Sequence, residues 1–329
     1  MRENIISIKG LKVGVASTSG YVYAVRNINL DVRKGEILGL VGESGCGKSM
    51  TAKSILRLHD EKRTEYQGQI IYENGKDILK MKEKELEQIR GSHIAMIFQD
   101  PMTTLNPLMK IGKQMMEMFR YHTSLSQEEA KAKCLKLLES VGVTPAEDRF
   151  ENYPFQLSGG QLQRVSIAME LALDPELLIA DEPTTALDVT MQAQILDLLR
   201  KLQKESGASI LIITHNFGVV AEICDRVAVM YAGQIVETGE SMDIFYNPRH
   251  PYTIDLIGSI PKTGLNGQKL TTIPGAPPQL NRPITGCPYA SRCRYADEMC
   301  FTKAPDLQTL ENGHTYLCSK TDLTGEEAV

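Results

Sequence analysis

Thirteen residues near the start constrain this chain more than any others. Ile37–Val41 is a short apolar strand that runs directly into Gly42-Glu43-Ser44-Gly45-Cys46-Gly47-Lys48-Ser49, and a helix is expected from Ser49. The octapeptide fits G-x-x-x-x-G-K-[ST] in a strand–loop–helix context. Glycines let backbone N–H groups turn toward phosphate oxygens, and the helix N-terminus adds a favourable dipole. Lys48 is placed to reach β- and γ-phosphates, and the Ser49 hydroxyl to ligate Mg²⁺. Cys46 reads as a small residue whose side chain takes no part. A chain committed to such a loop is committed to an α/β fold.

The rest of residues 1–240 agrees, reading as alternating strands and helices. Leu177–Asp181 and Ser209–Thr214 are apolar strands short enough to be buried in a mostly parallel sheet. Val227–Met230 and Gln234–Thr238, separated by Ala232-Gly233, read as an edge hairpin. Ile5–Leu11 and Tyr23–Val32 alternate like strands and predict a small antiparallel layer. Between about Pro101 and Gly160 the strand signal disappears. There Ser126-Gln127-Glu128-Glu129 is a capping-box start for a helix carrying Ala130, Cys134, Leu137, Leu138 and Val141. Met115, Met116, Met118 and Phe119 read as core packing, with a partner-facing groove as the alternative. Composition shifts near Asn247: nine of the fifteen prolines and four of the seven cysteines fall in the last 83 residues. The expected organisation is a mixed-sheet core with an antiparallel β layer over 1–246, a helical subdomain at about 101–160, and a small irregular Cys/Pro-rich extension over 247–329.

Further polar groups sit where strands end. Leu177-Leu178-Ile179-Ala180-Asp181-Glu182 closes an apolar strand with two carboxylates, at the edge of a sheet where nucleotides bind. Asp181 is expected to hold Mg²⁺ and Glu182 to polarise the attacking water. Leu157-Ser158-Gly159-Gly160-Gln161 precedes a helix expected near Leu162, a second set of backbone donors for phosphate. Gln99 follows the strand Ile94–Phe98, and His215 follows Ile210–Thr214.

In this order the set resembles the ATP-binding subunit of an ABC transporter. Asn247-Pro248-Arg249-His250-Pro251-Tyr252-Thr253, the Cys-rich tail and Asp181–Gln194 extend the resemblance to the oligopeptide/dipeptide importer ATPases. It implies an ABC-type ATPase whose nucleotide is sandwiched between two cassettes. Ser158, Gly159, Gly160 and Gln161 would then act on the partner's ATP, not the one held by Lys48. Gln99 would touch Mg²⁺ or the attacking water, His215 the γ-phosphate, and Asp188 would lie at the subunit interface. Tyr21 is the residue expected to stack on adenine, with Tyr23 close behind. The resemblance also implies a second cassette, commonly a paralogue, two transmembrane permeases and an extracytoplasmic peptide-binding protein. Import of nickel or another small solute is the alternative. A soluble ABC ATPase acting on DNA or ribosomes is the rival class, and a binding module without turnover conflicts with intact Glu182 and His215.

Cys287, Cys293, Cys300 and Cys318 leave gaps of five, six and seventeen residues. The paired C-x₂₋₄-C of structural zinc is absent, and four thiolates suit a [4Fe–4S] cluster, which tolerates irregular spacing. Related importer ATPases carry such clusters, so an iron–sulfur cluster is expected; Zn²⁺ and unligated thiols are the alternatives. Cys134 and Cys224 read as core.

Charge and hydropathy bound the setting. Lys and Arg total 36 against 41 Asp and Glu, a net charge of -5, which argues against nucleic acid as the main partner. No apolar run approaches the roughly 18–20 residues a bilayer span needs, and Met1–Gly10 lacks the pattern of a secretory signal. The expected location is peripheral, on the cytoplasmic face of the cell membrane.

Overall fold

The computed structural model describes residues 3–18, 20–100, 104–185, 187–260, 272–281 and 284–320. Pro101, Ala186 and residues 261–271 of the tail therefore lie outside the described residues. Contacts divide the chain into two units. One comprises Met81–Ile212 with Met1–Ile5 and Arg33–Gly35; the other comprises Ile6–Val32, Glu36–Lys80 and Ile213–Val329.

The second unit holds two sheets. Strands β1 (Asn4–Ser17), β2 (Gly20–Arg33), β4 (Thr64–Tyr72) and β5 (Lys76–Asp77) form a layer in the order β2-β1-β4-β5. The β1–β4 pair is antiparallel, with a register shift between Lys9 and Lys12. The opening antiparallel layer is thus present, and two strands the alternation did not reveal complete it. In the other sheet β3 (Ile37–Val41) runs parallel to β9 (Arg226–Tyr231), with Leu38 opposite Arg226 and Val41 opposite Val229. All eleven residues of the two strands are buried, so neither strand could show alternation. β9 and β10 (Gln234–Glu240) form the expected hairpin. Its turn residues Ala232 (φ 46) and Gly233 (φ 79) are both left-handed, the backbone that matches strand twist in a two-residue turn.

The tail adds to this sheet. β12 (Thr315–Tyr316) pairs with β10, and β11 (Gln308–Thr309) pairs with β12. Elements of two residues leave no periodicity to read, which is why the segment looked irregular.

The first unit is built on β6 (Ile94–Ile97) and β7 (Leu177–Asp181), parallel from Ile94 opposite Leu177 to Ile97 opposite Ala180. β8 (Ser209–Thr214) lies beside β7 and carries the chain onward. Helices Ile111–His122, Gln127–Ser140 and Ala146–Glu151 occupy the stretch where strand signal was absent. Ser126 caps the middle one through the expected reciprocal bonds with Glu129. Met115, Phe119 and Cys134 are buried, whereas Met116 and Met118 are only half-buried. No helix among the described residues is long and apolar enough to cross a membrane.

One half-buried acid ties a helix to this sheet. Glu170, the last residue of helix Gly159–Glu170, accepts a hydrogen bond from the Met96 N–H at 3.3 Å. Burial pushes its carboxyl up to about 7 from 4.5. The folded form therefore holds a proton that the unfolded chain releases. The cost is absent below about pH 4.5 and grows as pH rises toward 7. Glu170→Gln is expected to match the wild type at pH 4 and to be more stable at pH 8 by about 1–3 kcal/mol in chemical denaturation.

Candidate nucleotide and catalytic residues

The 42–49 loop takes the shape its glycines allow. Gly42, Gly45 and Gly47 have φ of 152, 79 and 111, backbone largely closed to other residues. Space forbids a side chain at two of them as well: a Cβ on Gly42 would lie 2.1 Å from the Met230 carbonyl oxygen, and one on Gly47 2.4 Å from that of Ala24. Gly47 then caps helix Lys48–Ile55. The helix thus begins one residue before Ser49.

Lys48 is 4% exposed, and its Nζ donates to the Gly42 and Glu43 carbonyls at 2.8 and 3.0 Å. The loop thereby preorganises its own cation. The Cys46 N–H donates to Glu43, and the Cys46 carbonyl accepts from the Gly233 N–H, so the β9–β10 turn braces the loop. The Cys46 thiol is buried and burial raises its pKa, in line with a packing role. Tyr21 is 48% exposed, while the Tyr23 hydroxyl donates to Glu65 at 3.1 Å. His215 is exposed just beyond β8.

Across the first unit a different set is assembled. β7 is buried to its last residue, Asp181, which is 3% exposed. Glu182 follows with φ 51, a left-handed conformation costing a non-glycine residue about 1–3 kcal/mol, retained only where the surroundings enforce it. The carboxylate it presents accepts from Gln99 Nε2 and from Thr185 Oγ1, both at 2.9 Å. Gln99 and Glu182, read from strand ends eighty-three residues apart in sequence, are therefore partners in space. Thr185 was not anticipated: a threonine three residues past a carboxylate carries no signal of its own.

Ser158 is the N-cap of helix Gly159–Glu170, accepting from the Gln161 N–H while the Gln161 side chain accepts from the Ser158 N–H. The helix begins at Gly159, three residues earlier than expected, because Ser158 and Gln161 make a capping box. Ser158 and Gly159 are exposed, and among the described residues nothing lies within 4 Å of where a Gly159 Cβ would be, so that end of the helix is open. Asp188 is likewise an N-cap: its Oδ1 accepts from the Met191 N–H at 2.9 Å, starting helix Val189–Ser206.

Residues 25–185 match the ABC transporter family, and residues 236–300 match the oligopeptide/dipeptide transporter C-terminal region. The dipeptide transport ATP-binding protein DppD of Bacillus subtilis is 46% identical over 99% of this chain and 98% of its own length. The oligopeptide transport ATP-binding protein OppD of the same organism is 49% identical over 94% of this chain and 87% of its own. The chain belongs to the ABC transporter ATP-binding subunits. Solved cassettes agree: the dimeric structure of a bacterial ABC transporter cassette superposes with a TM-score of 0.64 at 31% identity, covering 72% of this chain and 98% of that one. A post-hydrolysis dimer bound to ADP and Pi gives the same score at 29% identity.

The remaining residues of interest belong to the tail of this ABC subunit. Cys287, Cys293, Cys300 and Cys318 all line one cavity of about 20 Å³, beside Tyr289 and His250. Burial raises the pKa of Cys287 and Cys318 and pushes Cys293 to about 11, and neighbouring thiols add to each shift. The donor set fits a cluster in kind, as four thiols about one cavity. Placement is another matter: among the described residues no group of three or more His, Cys, Asp or Glu side chains is arranged to hold a metal ion. Cys134 and Cys224 are buried, as expected.

The loop geometry makes a direct forecast. Gly47→Ala must push a Cβ against the Ala24 carbonyl in a strained backbone, at about 1–3 kcal/mol for the conformation alone. ATP affinity, read by equilibrium dialysis, is expected to fall at least about fivefold, the lower end of that range.

Proposed function

We propose that this chain is the ATP-hydrolysing subunit that powers import of di- or oligopeptides through a membrane ABC transporter. What carries the reading is similarity along nearly the whole chain to proteins named for dipeptide and oligopeptide transport. The likeness continues past the cassette into the transporter-type C-terminal region. Nothing in those names favours nickel. The cassette is assigned to 1–246, with its helical subdomain at about 101–160, and the extension to 247–329.

In this proposal the 42–49 loop cradles the phosphates through its N–H groups, Lys48 neutralises the β- and γ-phosphates, and Tyr21 stacks on adenine. Mg²⁺ would be held by Ser49, Asp181 and Gln99 and would spread the developing charge on the transferred phosphoryl group. Glu182 orients and polarises the attacking water. Its bond to Gln99 gives that role support, since a base must be fixed before it can aim. His215 touches the γ-phosphate. The open helix end at Ser158, Gly159, Gly160 and Gln161 serves the nucleotide of a second cassette, with Asp188 at the interface, and the dimeric state of the solved cassette supports this arrangement. The second cassette is taken to be a paralogue, and the further partners two permeases served by an extracytoplasmic peptide-binding protein. The subunit would sit on the cytoplasmic face of the membrane.

The four tail cysteines are proposed to ligate a [4Fe–4S] cluster, on the strength of their common cavity. A metal cluster there would tie down a segment with little core of its own. Loading would displace thiol protons, so uptake should improve as pH rises. Zn²⁺ has less support, because the paired C-x₂₋₄-C of structural zinc is absent.

Two measurements test these assignments. Glu182→Gln should bind ATP within about twofold of the wild type while turnover in the assembled transporter falls about 10²–10⁴-fold; full activity would overturn the role given to Glu182. Anaerobically purified wild type should contain iron and absorb broadly in the visible, and Cys293→Ser should lose both. Iron-free, colourless wild type would end the cluster assignment.

A further inference from the structure

The loop that binds phosphate is not self-supporting on the second unit: the C-terminal segment holds it at one residue. Arg292 donates to the Glu43 carboxylate from both ends of its fork, Nη1 to Oε2 at 2.7 Å and Nη2 to Oε1 at 2.9 Å. Its side chain is 3% exposed, that of Glu43 24%. Two of its three other N–H groups are committed too, Nε to the Pro274 carbonyl at 2.8 Å and Nη1 also to the Tyr231 hydroxyl at 3.2 Å. The guanidinium lies 5.7 Å from the Tyr231 ring centre and 5.9 Å from that of Tyr289. A planar fork so enclosed has one orientation, and it points at the loop.

A second tether reaches the same residue through the backbone. The Glu43 N–H donates to the Tyr252 hydroxyl at 2.9 Å. Tyr252 is fully buried against Tyr231 and Tyr289, with ring centres 4.5 and 5.3 Å away. Residue 43 is thus fixed at its amide by Tyr252 and at its carboxylate by Arg292, while its carbonyl is an acceptor for Lys48. A displacement of Glu43 is a displacement of the lysine that meets the phosphates.

We propose that Arg292, with Tyr252, is a positioning residue for the nucleotide loop, so that ATP affinity depends on the fold of the cysteine-bearing tail. The inference rests on the reading of residues 42–49 as the ATP site. Its link to the cysteines is local: the Arg292 N–H donates to the Tyr289 carbonyl, the Cys293 N–H to Ala290, and the Ala290 N–H to Cys287. Arg292 therefore rides on the turns that carry Cys287 and Cys293. The Cys287 N–H in turn donates to the Cys300 carbonyl at 2.7 Å, and Gly286 (φ 72) permits this approach, since a Cβ there would lie 2.4 Å from that oxygen. Any change of state in the tail that shifts these turns is passed to Glu43 through one guanidinium.

The test uses the full chain and Mg²⁺-ATP, with Kd measured by displacement of a fluorescent ATP analogue. Wild type must bind and Lys48→Ala must not; failure of either control strikes the ATP-site reading itself, before the tether is judged. Arg292→Met and Glu43→Gln are each expected to weaken ATP binding about tenfold, and the double variant no further than the weaker single, as for two halves of one interaction. Arg292→Lys should recover part of the affinity. In the assembled transporter the Arg292→Met variant should raise KM for ATP with kcat at saturating ATP within about twofold, because only ground-state loop order is lost. A residue that merely stabilises the tail would lower melting temperature and the active fraction, leaving KM unchanged. A Kd for Arg292→Met within twofold of wild type, or additive losses in the double variant, overturns the proposal. If Arg292→Met does not fold, Glu43→Gln decides alone: an unchanged Kd overturns it.

Discussion

A phosphate group is gripped by backbone N–H donors only where the chain bends through conformations that side chains obstruct. In this ABC subunit the loop proposed for that task bends in this way at Gly42, Gly45 and Gly47. The bend is enforced from outside as much as by intrinsic freedom, because the carbonyls of Met230 and Ala24 stand where Cβ atoms would go. Much of the second unit bears on this one loop. β3 delivers it from a fully buried strand, β9 contributes Met230, β2 contributes Ala24, and the β9–β10 turn bonds to Cys46. The tight turn at Ala232-Gly233 is therefore part of the loop's scaffold as well as a hairpin connection.

The first unit shows the complementary strategy, in which the side chain rather than the backbone is held. Glu182 leaves its strand in a left-handed conformation, and Gln99 and Thr185 both donate to one oxygen of its carboxylate, Oε2. Local strain offset by side-chain hydrogen bonds is the pattern of a group whose direction matters. The helix starts at Ser158 and Asp188 follow the same economy of means: each cap uses a side-chain oxygen to accept a backbone N–H, leaving the helix end exposed.

What the sequence disclosed and what it hid follow from range. The strand–loop–helix at 37–55, the hairpin at 226–240 and the Ser126 cap are local, and each could be read from neighbouring residues. The two strands at 64–77 were missed because Thr64–Tyr72 is half exposed and broken by Gly68, and Lys76–Asp77 has only two residues. The tail strands were invisible for the same reason of length. Residues in fixed motifs could be named as candidates from the sequence, whereas the side chains that brace them could not. Thr185 sits in a turn with no periodicity, and Arg292 meets Glu43 across 249 residues of sequence. A tyrosine and an arginine in a proline-rich tail give no hint that they end on a glycine-rich loop.

The Glu43–Arg292 pair also fixes the electrical character of the loop proposed to receive a highly anionic molecule. An acidic side chain on such a loop would repel a triphosphate, and the enclosed guanidinium cancels it at short range, where salt screens poorly. A cassette cut free of its last eighty residues would lose that neutralising cation and keep the acid. Its affinity for ATP would then become unusually sensitive to ionic strength, so the excised domain would be a poor guide to the behaviour of the intact subunit.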